Sequence, residues 1–278
     1  MPSIGVTTRM AQSAWRKEDD NSMEQLADKV VMVAGGARGI GRGIVDRCAT
    51  EGARVVVADL SPERDAVAAA LIDRGHSALP LSLDVRARAD HERAVARAVA
   101  YFGRLDALVY CAGIFPRATL LETDEELWHE VIDTNLTGAF LACRAVAPQM
   151  TAQGGGAIVT IGSLHATGGT AERFAYGISK GGLVTLTLNL AAALARDAIR
   201  VNCVHPGWVL SEGEKAVRGL ATDEDAARFA GEATRHIPLG RMQTPEDIAH
   251  AVVYLISDGA AQVTGQVIAV DGGLGSRW

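Results

Sequence analysis

The sequence has little cysteine and few aromatic residues, and it contains no long apolar run. Its four cysteines, Cys48, Cys111, Cys143 and Cys203, are widely separated, with no CxxC pair. That spacing excludes a disulfide scaffold and a cysteine metal site, and it fits reduced thiols in a cytoplasmic protein. The seven histidines are scattered, with no HExxH, so no bound metal is expected. The longest apolar stretch, Leu183 to Ala195, is interrupted by Thr185, Thr187 and Asn189. It falls short of the roughly 18 residues of a membrane span. A net charge of −6 argues against nucleic acid or an anionic membrane as partner.

What is present is a chain of 278 residues, 48% hydrophobic, ample for one large domain. Residues 1–28 stand apart. They mix small polar residues with Arg9, Arg16, Lys17 and an acidic run, and have no apolar h-region. They are expected to be a flexible tail or an over-long start with Met23 as initiator. From residue 29 onward, apolar runs alternate with helical patterns. Val30–Ala34, Arg54–Asp59, Ala78–Leu83, Ala107–Tyr110, Ala157–Ile161, Ile199–Val204 and Gln266–Val270 are predicted strands. Helices are predicted from Ile40, Pro62 and Ala87, then over Glu125–Met150 as one helix or a broken pair, from Tyr176 to Arg196, and from Pro245. Seven apolar strands alternating with helices predict a single-domain α/β fold, a parallel sheet with right-handed crossovers.

The first strand runs into Gly35-Gly36-Ala37-Arg38-Gly39-Ile40-Gly41. Small residues let backbone N–H groups approach a pyrophosphate, and the following helix turns its positive end toward it. Asp59, 18 residues beyond Gly41 and followed by Leu60, ends the second strand. A carboxylate there accepts from adenosine ribose hydroxyls and repels a 2′-phosphate, which favours NAD over NADP. Arg38 points the other way, since a loop arginine can accommodate that phosphate.

The Gly35/Gly39/Gly41 spacing resembles that of the short-chain dehydrogenase/reductase family, over about Leu26 to Gly273. The resemblance implies a Rossmann-type doubly wound sheet of strand order 3-2-1-4-5-6-7 and a nicotinamide cofactor. It assigns Asp84 and Val85 to the adenine and Cys111-Ala112-Gly113 to the turn after strand four. Cysteine there replaces the family's asparagine, which removes an amide that ties the sheet together. Pro206, Gly207, Val209 and Ser211 fall on the loop beside the nicotinamide, and residues 208–236 on a substrate lid. The resemblance also implies pairing of the two long helices across a two-fold axis and a second interface at the C-terminal stretch. A homotetramer is expected, with a dimer as the fallback.

Tyr176 and Lys180 are four residues apart on a predicted helix, hence on one face. A nearby ammonium favours a phenolate, which would make the tyrosine a usable general acid/base. Ser163 ends the fifth strand, 13 residues before Tyr176, where a hydroxyl can hold a developing oxyanion. Asn135 matches the family's fourth catalytic position, where it would hold a water between Lys180 and solvent. Phe115, His165, Phe174 and Trp208 are candidate substrate contacts. The expected activity is hydride transfer between NAD(H) and a secondary alcohol or ketone. The alternatives are a 3-oxoacyl thioester reductase using NADPH, a non-catalytic NAD-sensing regulator, and a sugar epimerase, for which the C-terminal region leaves little room.

Overall fold

The computed structural model describes residues 24–276. Seven parallel strands form one sheet in the order β3-β2-β1-β4-β5-β6-β7. They are β1 Val30–Ala34, β2 Arg54–Asp59, β3 Ala78–Ser82, β4 Ala107–Tyr110, β5 Gly156–Ile161, β6 Ile199–Pro206 and β7 Val267–Val270. Each central strand is apolar on both faces because both faces are covered. Val31 and Val33 of β1 and Val55 and Val57 of β2 face a core shared with Ile44, Val45, Ile248 and Val252. Val30, Met32 and Ala34, with Val56 and Ala58, face a second core containing Ala94, Ala142, Val146 and Leu183.

The helices are α1 Gly39–Thr50, α2 Glu63–Asp73, α3 Arg88–Phe102, α4 Glu125–Ile132, α5 Gly138–Ala152, α6 Phe174–Leu194, α7 Glu212–Val217, α8 Asp223–Thr234 and α9 Pro245–Ile256. Helix α9 starts where the chain supplies a reciprocal cap: the Thr244 hydroxyl accepts from Asp247 N–H, Asp247 accepts from Thr244 N–H, and Pro245 opens the first turn. It packs closely on α1 because Gly43 presents no side chain; a Cβ there would come within 2.6 Å of Pro245 Cβ.

The predicted Glu125–Met150 segment is a pair of helices joined by a π-turn, Asp133–Thr137. Two tethers hold the turn. Tyr110 Oη donates to Thr134 O. Asn135 Oδ1 accepts from Ile114 N–H at 2.8 Å, and its Nδ2 donates to Ile114 O at 2.9 Å. Such turns recur at functional sites.

Helix α6 with its terminal turn, Phe174–Asp197, is long and apolar enough to cross a membrane by length and composition alone. Here it lies on the sheet, with Ser179, Lys180, Leu183, Thr187 and Ala191 buried.

The expected tail boundary at residue 28 is corrected. Leu26 is fully buried in the core beside α1, and its N–H donates to Glu51 O at 2.9 Å. One apolar residue among polar neighbours gave no periodic signal. Residues 1–23, including Met23, Arg9, Arg16 and Lys17, lie outside the described residues. Leu26→Ala is therefore expected to destabilise the protein by about 2–5 kcal/mol in denaturant unfolding. A residue in a loose tail would leave the midpoint unchanged.

Candidate active site

The carboxyl ends of the strands open into a cleft of about 2030 Å³. Its floor is the turn between β1 and α1. Gly35 has φ +84°, and a Cβ on Gly41 would lie 1.9 Å from Gly35 O, so this turn closes only with glycine. The N-terminus of α1 carries no side-chain cap; Arg38 stands at the cap position in extended conformation. The free N–H groups of that turn meet an anion's requirements. Asp59 is pinned at the end of β2: Oδ2 accepts from Ala37 N–H at 3.0 Å and Oδ1 from Ser61 N–H at 2.9 Å. A carboxylate has lone pairs beyond those two. Arg38 is clamped by both oxygens of Glu63, which raises the guanidinium pKa and lowers that of Glu63.

Ile40, Leu60, Asp84, Val85, Cys111, Ala112, Gly113, Pro206, Gly207, Val209 and Ser211 all line the same cleft, with Gly39 and Gly41. Asp84 is engaged by Arg86 through both carboxylate oxygens. The cysteine at 111 leaves the sheet tied, because the N–H groups of Cys111 and Ala112 both donate to Ala34 O, at 2.9 and 2.8 Å. Burial raises the Cys111 thiol pKa to about 12, so it stays protonated. Gly113 opens space before Lys180; a Cβ there would stand 3.1 Å from Asn135 Oδ1 and 3.5 Å from Lys180 Nζ. Ser211 caps α7 by accepting from Glu214 N–H and lies over Gly39. An uncapped helix end, a glycine-rich turn and a fixed carboxylate fit a dinucleotide.

Ser163, Tyr176 and Lys180 converge at the end of β5. Ser163 Oγ accepts from His165 N–H at 3.2 Å, which leaves its own O–H to donate into the cleft. Lys180 is 4% exposed and donates to Ile161 O at 2.8 Å. Its Nζ stands 5.6 Å from the centre of the Tyr176 ring. Burial lowers the Lys180 pKa to about 8. The expectation that Lys180 depresses the tyrosine pKa is corrected for the free protein. Burial dominates and raises Tyr176, while the neighbouring Ser163 hydroxyl and Arg173 work against the rise.

Asn135 and Phe174 lie off the cleft lining. Asn135 is fully buried. Both its N–H donors are taken, by Ile114 O and by Ser179 Oγ at 3.0 Å, its Oδ1 accepts from Ile114 N–H, and the Ser179 hydroxyl donates to Tyr176 O at 2.7 Å. Its side chain therefore ties the π-turn to the turn of α6 that carries Tyr176. The expectation for Phe174 is corrected. Phe174 does not line the cleft. It precedes Tyr176 by two residues, which turns it to another side of α6 against Trp128, ring centres 6.4 Å apart. Phe115, His165 and Trp208 do line it. Phe115 and His165 flank the Tyr176 ring at 6.3 and 5.9 Å.

Sequence reasoning missed Arg173 and placed Glu214 and Arg218 only within the lid segment; the three cluster with Phe115 and Trp208 at α7. Arg173 lies three residues before Tyr176 and Glu214 three after Ser211, a weak signal without the fold.

A family model described as enoyl-(acyl carrier protein) reductase matches residues 35–275. The chain is 39% identical over 251 residues to cis-4-hydroxycyclohexanecarboxylate dehydrogenase of Sinomonas cyclohexanicum, covering 90% of this chain and 98% of that protein. It is 39% identical over 255 residues to L-rhamnose 1-dehydrogenase (NAD(P)(+)) of Azotobacter vinelandii, covering 90% and 97%. The crystal structure of levodione reductase superposes with a TM-score of 0.85 at 30% identity, covering 91% of this chain and all of that one. The chain belongs to the short-chain dehydrogenase/reductase family. It is an NAD(P)-dependent oxidoreductase acting on CH–OH groups.

The depressed Lys180 pKa has a consequence for stability. Unfolding restores its ordinary value near 10.4. Between about pH 8 and 10.4 the unfolded chain then holds more protons than the folded one, so this contribution to stability rises with pH. The stability difference between wild type and Lys180→Met should shift toward the wild type across that window, by at most about 3 kcal/mol. A pH-independent difference in calorimetry would contradict the assignment.

Proposed function

We propose that the chain is an NAD-preferring dehydrogenase of secondary alcohols, and a ketone reductase in the reverse direction, in which Ser163, Tyr176 and Lys180 handle the reacting oxygen and its proton. The observation that carries this reading is their convergence in the cleft that also holds the uncapped α1 terminus and Asp59. NAD, when bound, supplies the hydride acceptor. Ser163 donates its free O–H to the substrate oxygen and fixes it beside the phenol. Tyr176 accepts the alcohol proton and returns it in the reverse direction. The Lys180 ammonium, fixed by Ile161 O, favours negative charge on the oxygens near it. Asn135 positions Tyr176 through Ser179.

Asp59 supports NAD, because a carboxylate at the end of β2 would repel a 2′-phosphate, and Arg38 is committed to Glu63. A 3-oxoacyl-[acyl-carrier-protein] reductase of Thermotoga maritima, 36% identical over 251 residues, supports a thioester reductase using NADPH as the second reading. Residues 208–236, with α7 and α8, are proposed as a lid over the substrate. Apolar side chains exposed on α5 and α6, Phe140, Ile178 and Leu188, and Val267 on β7 support a homotetramer with two kinds of interface. A cytoplasmic location completes the reading.

The experiment is a panel of secondary alcohols, sugars and hydroxy acids with NAD and NADP, followed by the absorbance of reduced nicotinamide. Tyr176→Phe should lower kcat by at least about 10²-fold with NAD affinity within a few-fold of wild type. Lys180→Ala should lower both rate and NAD affinity, and the double variant should lose less than the two losses combined. Full activity in Tyr176→Phe would remove the phenol from the mechanism. Wild type should favour NAD by at least about tenfold in kcat/KM, and Asp59→Ala should narrow that gap. A wild-type preference for NADP would overturn the Asp59 reading.

The raised Tyr176 pKa gives the pH profile its sign. The base needed for alcohol oxidation is the phenolate, which becomes more populated as pH rises. Oxidation kcat/KM should climb from neutral pH to about pH 8, above which Lys180 loses its ammonium, with ketone reduction favoured at the lower end. An oxidation rate already flat at neutral pH would contradict it.

A further inference from the structure

The inner cleft carries an unequal charge count. Two guanidinium groups, Arg173 and Arg218, share the single carboxylate of Glu214. Glu214 Oε1 accepts from Arg218 Nε and, at 3.3 Å, from Trp208 Nε1. Its Oε2 stands 3.9 Å from Arg173 Nη2, beyond hydrogen-bond distance. The other acids nearby are engaged elsewhere. Glu172 holds Arg117 at the exposed rim, and Glu212 acts on Arg38 at the opposite end of the cleft.

Arg173 is the less compensated of the two. It is 9% exposed and lines the cleft. Its Nη1 donates to Phe115 O, but neither Nε nor Nη2 makes a hydrogen bond among the described residues. Arg218, by contrast, bonds Glu214 and lies over the rings of Trp208 and Phe229 at 5.2 and 4.3 Å. A buried cation with unused donors is costly unless something fills them. A guanidinium fork matches a carboxylate with two parallel hydrogen bonds.

Its location sets where an anion would bind. Arg173 Cζ is 5.6 Å from the centre of the Phe115 ring, which is 6.3 Å from the centre of the Tyr176 ring. The Phe115 ring thus neighbours both the surplus positive charge and the Tyr176 ring, all lining one cleft. Resting on the reading that Tyr176 exchanges the substrate proton, we propose that Arg173 binds a carboxylate of the substrate. The substrate class is then a hydroxy acid, or its oxo acid in reverse. Glu214 tunes this site by neutralising one of the two guanidinium groups, and it discourages uncharged substrates less than acids.

The test compares 4-hydroxycyclohexanecarboxylate with its methyl ester, which has the same ring and carbinol but no charge. Wild type should favour the acid in kcat/KM, and Arg173→Leu should lower the acid-to-ester ratio by at least about tenfold, chiefly through KM. Glu214→Gln, which keeps the side chain's shape and an acceptor for Trp208, should raise that ratio. Equal losses on acid and ester in Arg173→Leu, or an unmoved ratio in Glu214→Gln, would overturn the proposal and leave Arg173 as a brace for the Phe115 loop. Binding of unreactive cyclohexanecarboxylate, followed by tryptophan fluorescence with NAD present, separates this inference from the catalytic reading. Tyr176→Phe should retain that binding and Arg173→Leu should weaken it by at least about tenfold. Arg173-dependent binding without turnover of any alcohol would sink the catalytic reading alone. Turnover of alcohols with no Arg173-dependent anion binding would sink this inference alone.

Discussion

The site is organised around an ammonium group buried without a carboxylate. Lys180 has one backbone carbonyl as its bonded partner and no ion pair among the described residues. Burial of this kind works against folding, as the lowered pKa records. It persists because the surroundings leave the side chain no other place: α6 packs on the sheet, and Ile161 O at the end of β5 captures Nζ. The same packing withdraws Tyr176 from water and raises its pKa. In the free protein, desolvation therefore outweighs the attraction that the four-residue spacing suggests. A perturbed acid and a perturbed cation facing one cleft are characteristic of sites that move protons.

Topology delivers these groups to one place. All seven strands are parallel, so their carboxyl ends share one edge, and the order reverses beside β1. At that reversal the turns after β1 and β4 meet, and Gly35 approaches so closely that a Cβ would lie 2.5 Å from Ala112 N. The π-turn between α4 and α5 connects the two halves. Asn135 grips Ile114 after β4 on one side and reaches Tyr176 through Ser179 on the other. One buried amide thus couples the loop over the cleft to the helix that carries Tyr176 and Lys180.

Much of this was legible in the sequence. Continuous β-branched runs such as Val55-Val56-Val57 identify strands covered on both faces. The glycine turn, Asp59, Ser163, Tyr176 and Lys180 are close in sequence to elements that fix their direction. What escaped depended on contacts between distant segments. Asn135 is bonded to Ile114 and Ser179, which no local pattern reveals. Phe174 is turned away by helical phase and held by Trp128 on another helix. Leu26 is buried by the turn after α1. The Arg173–Glu214–Arg218 cluster forms only when α7 is laid over the start of α6.

The central claim is that the carbinol hydrogen of a secondary alcohol passes to the nicotinamide in this cleft while Tyr176 removes the hydroxyl proton. The most direct measurement uses secondary alcohols deuterated at the carbinol carbon, incubated with the enzyme and NAD, with the reduced cofactor analysed by mass spectrometry. One deuterium per reduced nicotinamide, with none entering from deuterated solvent, is the expected result. Reduced nicotinamide lacking the label, or carrying label from solvent instead, would contradict it.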